Sequence, residues 1–139
     1  MNVVGFVIPG DVRGKGRPRF VRATGRAYTD EPTVSYENLI KITCVETMGE
    51  APVIEGPVWL HVEVRCRPPA ATSKKRLALM LRQHILPTTK PDMDNVVKLV
   101  MDALNGVAWH DDKQVVVGSF SRRYAEESSL LIQFREIRE

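Results

Sequence analysis

Lys90-Pro91-Asp92-Met93-Asp94-Asn95-Val96-Val97-Lys98-Leu99-Val100-Met101-Asp102-Ala103-Leu104-Asn105-Gly106 is the stretch on which the fold turns. It predicts a helix over Asn95 to Leu104, ended by Asn105-Gly106, with glycine supplying the backbone freedom a helix stop needs. Asn95, Lys98, Asp102 and Asn105 recur three or four residues apart and form one polar stripe, while Val96, Val97, Leu99, Val100, Met101, Ala103 and Leu104 cover the rest. A helix that apolar packs on more than one side, so its polar stripe is expected to face a cleft. Asp94 sits at the helix start and Asp92 just before it. Residues i and i+2 of extended backbone project the same way, so both carboxylates can converge on one ion, where the helix N-terminus also favours negative charge. Pro91 stiffens the approach and biases Lys90 towards extended backbone.

Downstream, Asp111-Asp112 is expected to open a strand, where adjacent side chains point to opposite faces, so only one of the pair can easily join Asp92 and Asp94. Five carboxylates in this window (Asp92, Asp94, Asp102, Asp111 and Asp112) repel one another, and a hard divalent cation is the usual reason to gather them. Lys98, one turn beyond Asp94, can hold the cluster together or donate to a substrate phosphate. A blander reading makes Asp94 an N-cap, pairs Lys98 with Asp94 and Asp102 as surface ion pairs worth at most ~1 kcal/mol each, and leaves Asp111-Asp112 as a turn. It explains each residue singly and the spacing of the set poorly. A Ca²⁺ loop is excluded because its glycine and terminal glutamate are missing. His61, His84 and His110 have no serine or cysteine partner in a recognisable nucleophilic motif.

Working outward, Val3 to Ile8 reads as a buried strand closed by Pro9-Gly10, and Asp11 to Asp30, rich in Gly and Arg, as a loop or flexible hairpin. From Pro32 to Met48, Val34, Leu39, Ile40, Ile42, Val45 and Met48 fit a helix. Val58 to Cys66 alternates cleanly, with Val58, Leu60, Val62, Val64 and Cys66 on one face and Trp59, His61, Glu63 and Arg65 on the other, which is the best strand signal in the chain. Pro68-Pro69 ends it. Ser73 caps a short helix to about Gln83, and Val115 to Tyr124 and Leu130 to Ile137 are the last two strands. The order is β-α-β-α-α-β-β: an α+β fold, one domain over 1–139, with a small mixed sheet of about four strands packed with helices.

The 139 residues suffice for a single core, and 43% hydrophobic with 27% charged residues is ordinary for a globular protein. A net charge of +3 says little, but its distribution is segregated. Between Val12 and Thr29 stand six cations, Arg13, Lys15, Arg17, Arg19, Arg22 and Arg26, and no acid, whereas the window from Asp92 to Asp112 is acidic. Acids suited to Mg²⁺ and bases suited to phosphate are the two halves of a nuclease. Two cysteines, Cys44 and Cys66, are too few for a disulfide framework and read as small buried apolar residues. No apolar run approaches the ~20 residues of a membrane span, and Met1-Asn2-Val3-Val4 does not look like a signal peptide, so a cytoplasmic protein without a membrane partner is expected.

The units Lys90-Pro91-Asp92-Met93-Asp94-Asn95-Val96-Val97-Lys98, Asp102-Ala103-Leu104-Asn105-Gly106 and Trp109-His110-Asp111-Asp112-Lys113-Gln114-Val115 resemble, in order and spacing, the metal-site region of the RusA family of Holliday-junction resolvases. Gly14-Lys15-Gly16-Arg17-Pro18-Arg19-Phe20 and Ala27-Tyr28-Thr29 resemble a segment of its phage-type members. The resemblance implies a small α+β homodimeric endonuclease that cuts four-way DNA junctions with Mg²⁺, or with Mn²⁺ in its place, in recombination and repair. It places the catalytic and metal-binding acids on Asp92, Asp94 and Asp112 and the essential lysine on Lys98, with Asp102, Asp111 and Asn95 in support. The cations from Arg13 to Arg26 would hold DNA, and the phage-type likeness points to a bacteriophage or prophage setting. The basic segment departs from the better-known bacterial branch, which bears on the preference for DNA shape more than on the chemistry. Three rivals remain. A nuclease for flaps and other branched DNA shares every residue. A non-catalytic DNA-binding module leaves the acids unexplained, and a glycosyltransferase using Asp92-Met93-Asp94 needs a larger nucleotide-binding domain.

Overall fold

The strongest alternation in the sequence becomes the centre of the sheet. In the structure, a computed structural model that describes residues 3–16, 19–21, 23–28 and 31–138, Val58–Cys66 forms β4. Its even-numbered residues Val58, Leu60, Val62 and Val64 are buried and its odd-numbered ones are half-buried, as a period of two demands when one face alone is covered. Around it stand β1 (Val4–Pro9), β5 (Val115–Tyr124) and β6 (Ser129–Glu136). The order across the sheet is β1-β6-β4-β5; β6 runs antiparallel to both neighbours and β5 parallel to β4, so the sheet is mixed. A register shift between Val58 and Trp59 marks an irregularity near the start of β5.

Two helices cover one face of this sheet. α1 (Glu31–Met48) buries Thr33, Tyr36, Ile40 and Cys44, three or four residues apart. α3 (Met93–Leu104) buries Val96, Leu99, Val100, Ala103 and Leu104. These side chains meet Ile8, Leu60, Val62, Leu130, Ile132 and Phe134 in one core. The apolar residues that the sequence assigns to α1 divide: Ile40 is buried, whereas Val34, Leu39, Ile42 and Val45 are exposed. A short α2 (Lys74–Leu81) follows β4, with the Ser73 hydroxyl accepting from the Arg76 N–H. The glycine- and arginine-rich segment contains the anticipated hairpin, β2 (Arg19–Val21) against β3 (Arg26–Tyr28). No described helix is long and apolar enough to cross a membrane.

Two local expectations are corrected. α3 starts at Met93 rather than Asn95, which places Asp94 inside the first helical turn and Asp92 at the N-cap. Asp111-Asp112 does not open β5. Asp111 caps a 3-10 turn over Asp112–Gln114, and the strand starts only at Val115. The physical reason is a capping box: the Asp111 carboxylate accepts from the Lys113 N–H at 3.0 Å, while the Gln114 side chain accepts from the Asp111 N–H at 2.9 Å.

Candidate active site

An open groove of about 460 Å³ runs between α3 and β5, lined by Asp94, Val97, Lys98, Met101, Asp102, Asp112 and Phe120. Asp94, Lys98 and Asp102 come from one helical row at i, i+4 and i+8. Asp112 arrives from the 3-10 turn on the facing side. The structure therefore joins four of the residues singled out in the sequence.

The remaining candidates fall at its margins. Asp92 is exposed at the N-cap of α3, and its carboxylate makes no capping hydrogen bond. Asp111 uses its carboxylate on the turn. Asn95 is not part of the groove lining: its carbonyl accepts from the Lys15 N–H at 2.8 Å, and its Cβ would lie 2.9 Å from any Cβ added to Gly14.

That contact joins the basic segment to the acidic helix. Gly14 lets the chain approach α3 closely, and the Lys15 ammonium, 17% exposed, bonds Glu37 of α1 at 2.5 Å and Asp102 of α3 at 3.3 Å. Burial works against the Lys15 charge, but Glu37 and then Asp102 outweigh it and raise its pKa above 10.5. Lys15 thereby ties the loop, α1 and α3 together. Arg13 and Arg26 are exposed, whereas Arg17, Arg22 and the side chain of Arg19 lie outside the described residues.

The position of Asp112 is set by the core. Trp109 is fully buried, packs edge-on against Phe134 with centroids 5.8 Å apart, and donates its indole N–H to Asp112 Oδ1 at 3.3 Å. Gln114 fixes the same turn from the other side: its amide donates to the carbonyls of Ile54 and Gly56 at 2.9 and 3.0 Å. Neither Trp109 nor Gln114 stood out in the sequence as a positioning residue, although both lie in the segment that carries the resemblance.

Carboxylate oxygens are the donors that Mg²⁺ and Mn²⁺ prefer, so the chemistry of Asp92, Asp94 and Asp112 fits such an ion. The geometry is open: among the described residues, no group of three or more His, Cys, Asp or Glu side chains is gathered closely enough to hold a metal. Asp94 and Asp112 share the groove, and Asp92 stands outside its lining.

Comparison with known proteins places the chain in a family. Residues 9–135 match the family described as endodeoxyribonuclease RusA, a span that includes the basic segment, α3 and the Asp111-Asp112 turn. The chain is also similar, at 33% identity over 141 aligned residues and with 99% of each chain covered, to the uncharacterized protein YqaN of Bacillus subtilis (strain 168).

Proposed function

The chain belongs to the RusA family of endodeoxyribonucleases, and on that premise we propose that it is a metal-dependent nuclease that resolves four-way DNA junctions by paired phosphodiester hydrolysis. The observation that carries the reading is the groove that gathers Asp94, Lys98, Asp102 and Asp112 beside a basic loop anchored to the same helix. Asp92, Asp94 and Asp112 would hold Mg²⁺, or Mn²⁺ in its place. When bound, such an ion acidifies a water and polarises a phosphate oxygen.

The chain's own residues divide the remaining work. Lys98, exposed on the groove between Asp94 and Asp102, offers its ammonium to the scissile phosphate and offsets charge that builds on it. Asp102 holds Lys15, and Trp109 holds Asp112. Arg13, Arg17, Arg19, Arg22 and Arg26 meet the DNA backbone, with Lys15 anchoring their loop. A junction offers two strands to cut, and a two-fold homodimer would present two equivalent sites. The surface proposed for that dimer is the outer edge of β5, which has no strand partner among the described residues and exposes Val116 and Phe120 next to the groove.

The test is a labelled synthetic junction incubated with protein in Mg²⁺ and in EDTA, beside duplex and flap controls. Paired symmetric nicks that need both metal and junction support the proposal. Cutting of every branched substrate points to a structure-selective nuclease, and binding without cutting in Mg²⁺ and Mn²⁺ to a DNA-binding module. The Asp94→Asn variant should lose cutting and keep junction binding; retained cutting removes Asp94 from the ligand set.

A further inference from the structure

Among the described residues, α1 and α3 pack together on one face of the four-stranded sheet. On the other, contributed by alternate residues of β1, β6, β4 and β5, no residue is buried. We infer that this open face is a second DNA-binding surface, which takes the sugar–phosphate backbone of a junction arm; the inference rests on the nuclease reading above.

Charge is the first argument. The register sets Arg65 of β4 directly opposite Arg123 of β5; Glu63 meets the Arg65 charge, and Arg123 has no ion-pair partner among the described residues. Glu63 is the one acid that the paired strands place on this face, and it is already bonded to Arg65 at 2.9 Å and to the Ser121 hydroxyl at 3.2 Å. Arg67 continues the line beyond the strand. With Arg65, Lys90 and one acid, Asp11, it lines a cleft of about 360 Å³ that also reaches Val64, Cys66 and Pro91, the residue before Asp92. The cations thus lead towards the start of the acidic motif.

Spacing is the second. Arg135 lies over the Trp59 ring, 5.5 Å from its centroid, at the opposite end of the face. Trp59 precedes Arg65 by six residues in β4, or roughly 20 Å at ~3.3 Å per residue. That distance corresponds to about six base-pair steps of a duplex at ~3.4 Å each, so cations at the two ends can meet separate phosphates of one arm. Between them stand Glu63, the apolar Val7, Leu131 and Val117, and the His61–Ser119 pair joined at 2.8 Å. The paired strands place three arginines and one acid on the face, a balance that favours a polyanion over a second copy of the same charge.

The experiment measures binding of a fluorescent four-way junction in Mg²⁺ by the full-length protein carrying Asp94→Asn, to prevent cutting, over a range of salt. Adding Arg65→Gln and Arg123→Gln should raise Kd about tenfold near 100 mM salt and make the log–log salt slope shallower by roughly two, one for each lost phosphate contact. Arg65→Lys with Arg123→Lys should restore most of both. An unchanged Kd and slope in the glutamine variant overturns the inference while leaving the nuclease reading intact. If the parent protein binds no junction, the nuclease reading falls and the inference with it. Should the glutamine variant fail to fold, a photo-crosslinking residue at position 121 decides: capture of the labelled junction supports the surface, and capture of a second protein chain overturns it.

Discussion

Lys15 shows what one residue can conceal. In the sequence it is one of six cations in a run without acids, and such a run reads as a solvated, DNA-facing strip. In the structure its ammonium bridges Glu37 and Asp102, 22 residues away in one case and on another helix in the other. No local spacing announces a partner that distant, because tertiary folding supplies it. The pH consequence has a definite sign. The folded pKa is raised, so the stabilisation is fully present below the unfolded value of 10.5 and is lost as pH rises through the higher folded value. Chemical denaturation of the wild type should therefore show a larger stability loss above pH 10.5 than Lys15→Met, whose midpoint lacks that component; equal losses would remove the linkage. Gly14 gives a second test at this scale. A Cβ there meets Asn95 Cβ at 2.9 Å and Pro91 Cβ at 3.3 Å, both close to backbone. Gly14→Ala should cost about 1–3 kcal/mol of stability by forcing the loop off α3, visible as a lowered melting temperature. The glycine was legible as a turn former, its close approach to α3 was not.

Elements were more legible than contacts. The alternation of Val58 to Cys66 identifies β4 with its observed limits, and the apolar spacing of Val96 to Leu104 identifies α3 and its buried side. Both signals are periodic and survive burial because burial produces them. Where the expectations missed, capping had the deciding influence. Asp92 takes the N-cap position although Asn95 looked like the first helical residue, and Asp111 closes a turn where a strand was expected. A capping box depends on Gln114 reaching back to the Asp111 N–H, a bond that hydrophobic patterning does not report. The same glutamine also accepts from the His110 N–H at 2.8 Å and donates to two carbonyls of the segment before β4. Gln114→Ala leaves these groups unpaired and should destabilise the protein by about 1–3 kcal/mol. It should also slow junction cutting beyond what the lost stability explains, because the turn that presents Asp112 loosens. Cutting rates at a temperature where both proteins are fully folded provide the check. A rate equal to wild type would make Gln114 a stabilising residue without a positioning role.

At the scale of the whole molecule, the mixed sheet separates two kinds of surface. The open face carries Arg65, Arg123 and Arg135 among polar and apolar neighbours, whereas the β5 edge beside the groove is apolar, with Phe120 63% and Val116 61% exposed. The irregularity near Val116 disturbs the register there, and the outer side of β5 has no strand partner among the described residues. Edge strands with exposed large apolar side chains invite pairing with another chain unless charge or proline blocks them. From Val115 to Ser121 β5 carries neither, and its first charged residue is Arg122. Self-association through this edge would bury Val116 and Phe120 and bring two grooves, each with Asp94, Lys98 and Asp112, to the same interface. The open sheet face, with three arginines against one acid, is less suited than this edge to meet its own copy. Val116→Lys with Phe120→Lys should therefore convert a dimer into a folded monomer and abolish paired cutting. Sedimentation velocity reads the first effect, a junction with both strands labelled reads the second, and an unchanged far-UV circular dichroism spectrum shows that the fold survives. A wild type that sediments as a monomer at working concentration, or a lysine variant that remains dimeric, would rule out this edge as the dimer surface. A monomeric variant that still made paired cuts would separate resolution from dimerisation, and would leave Asp94, Lys98 and Asp112 acting within one chain.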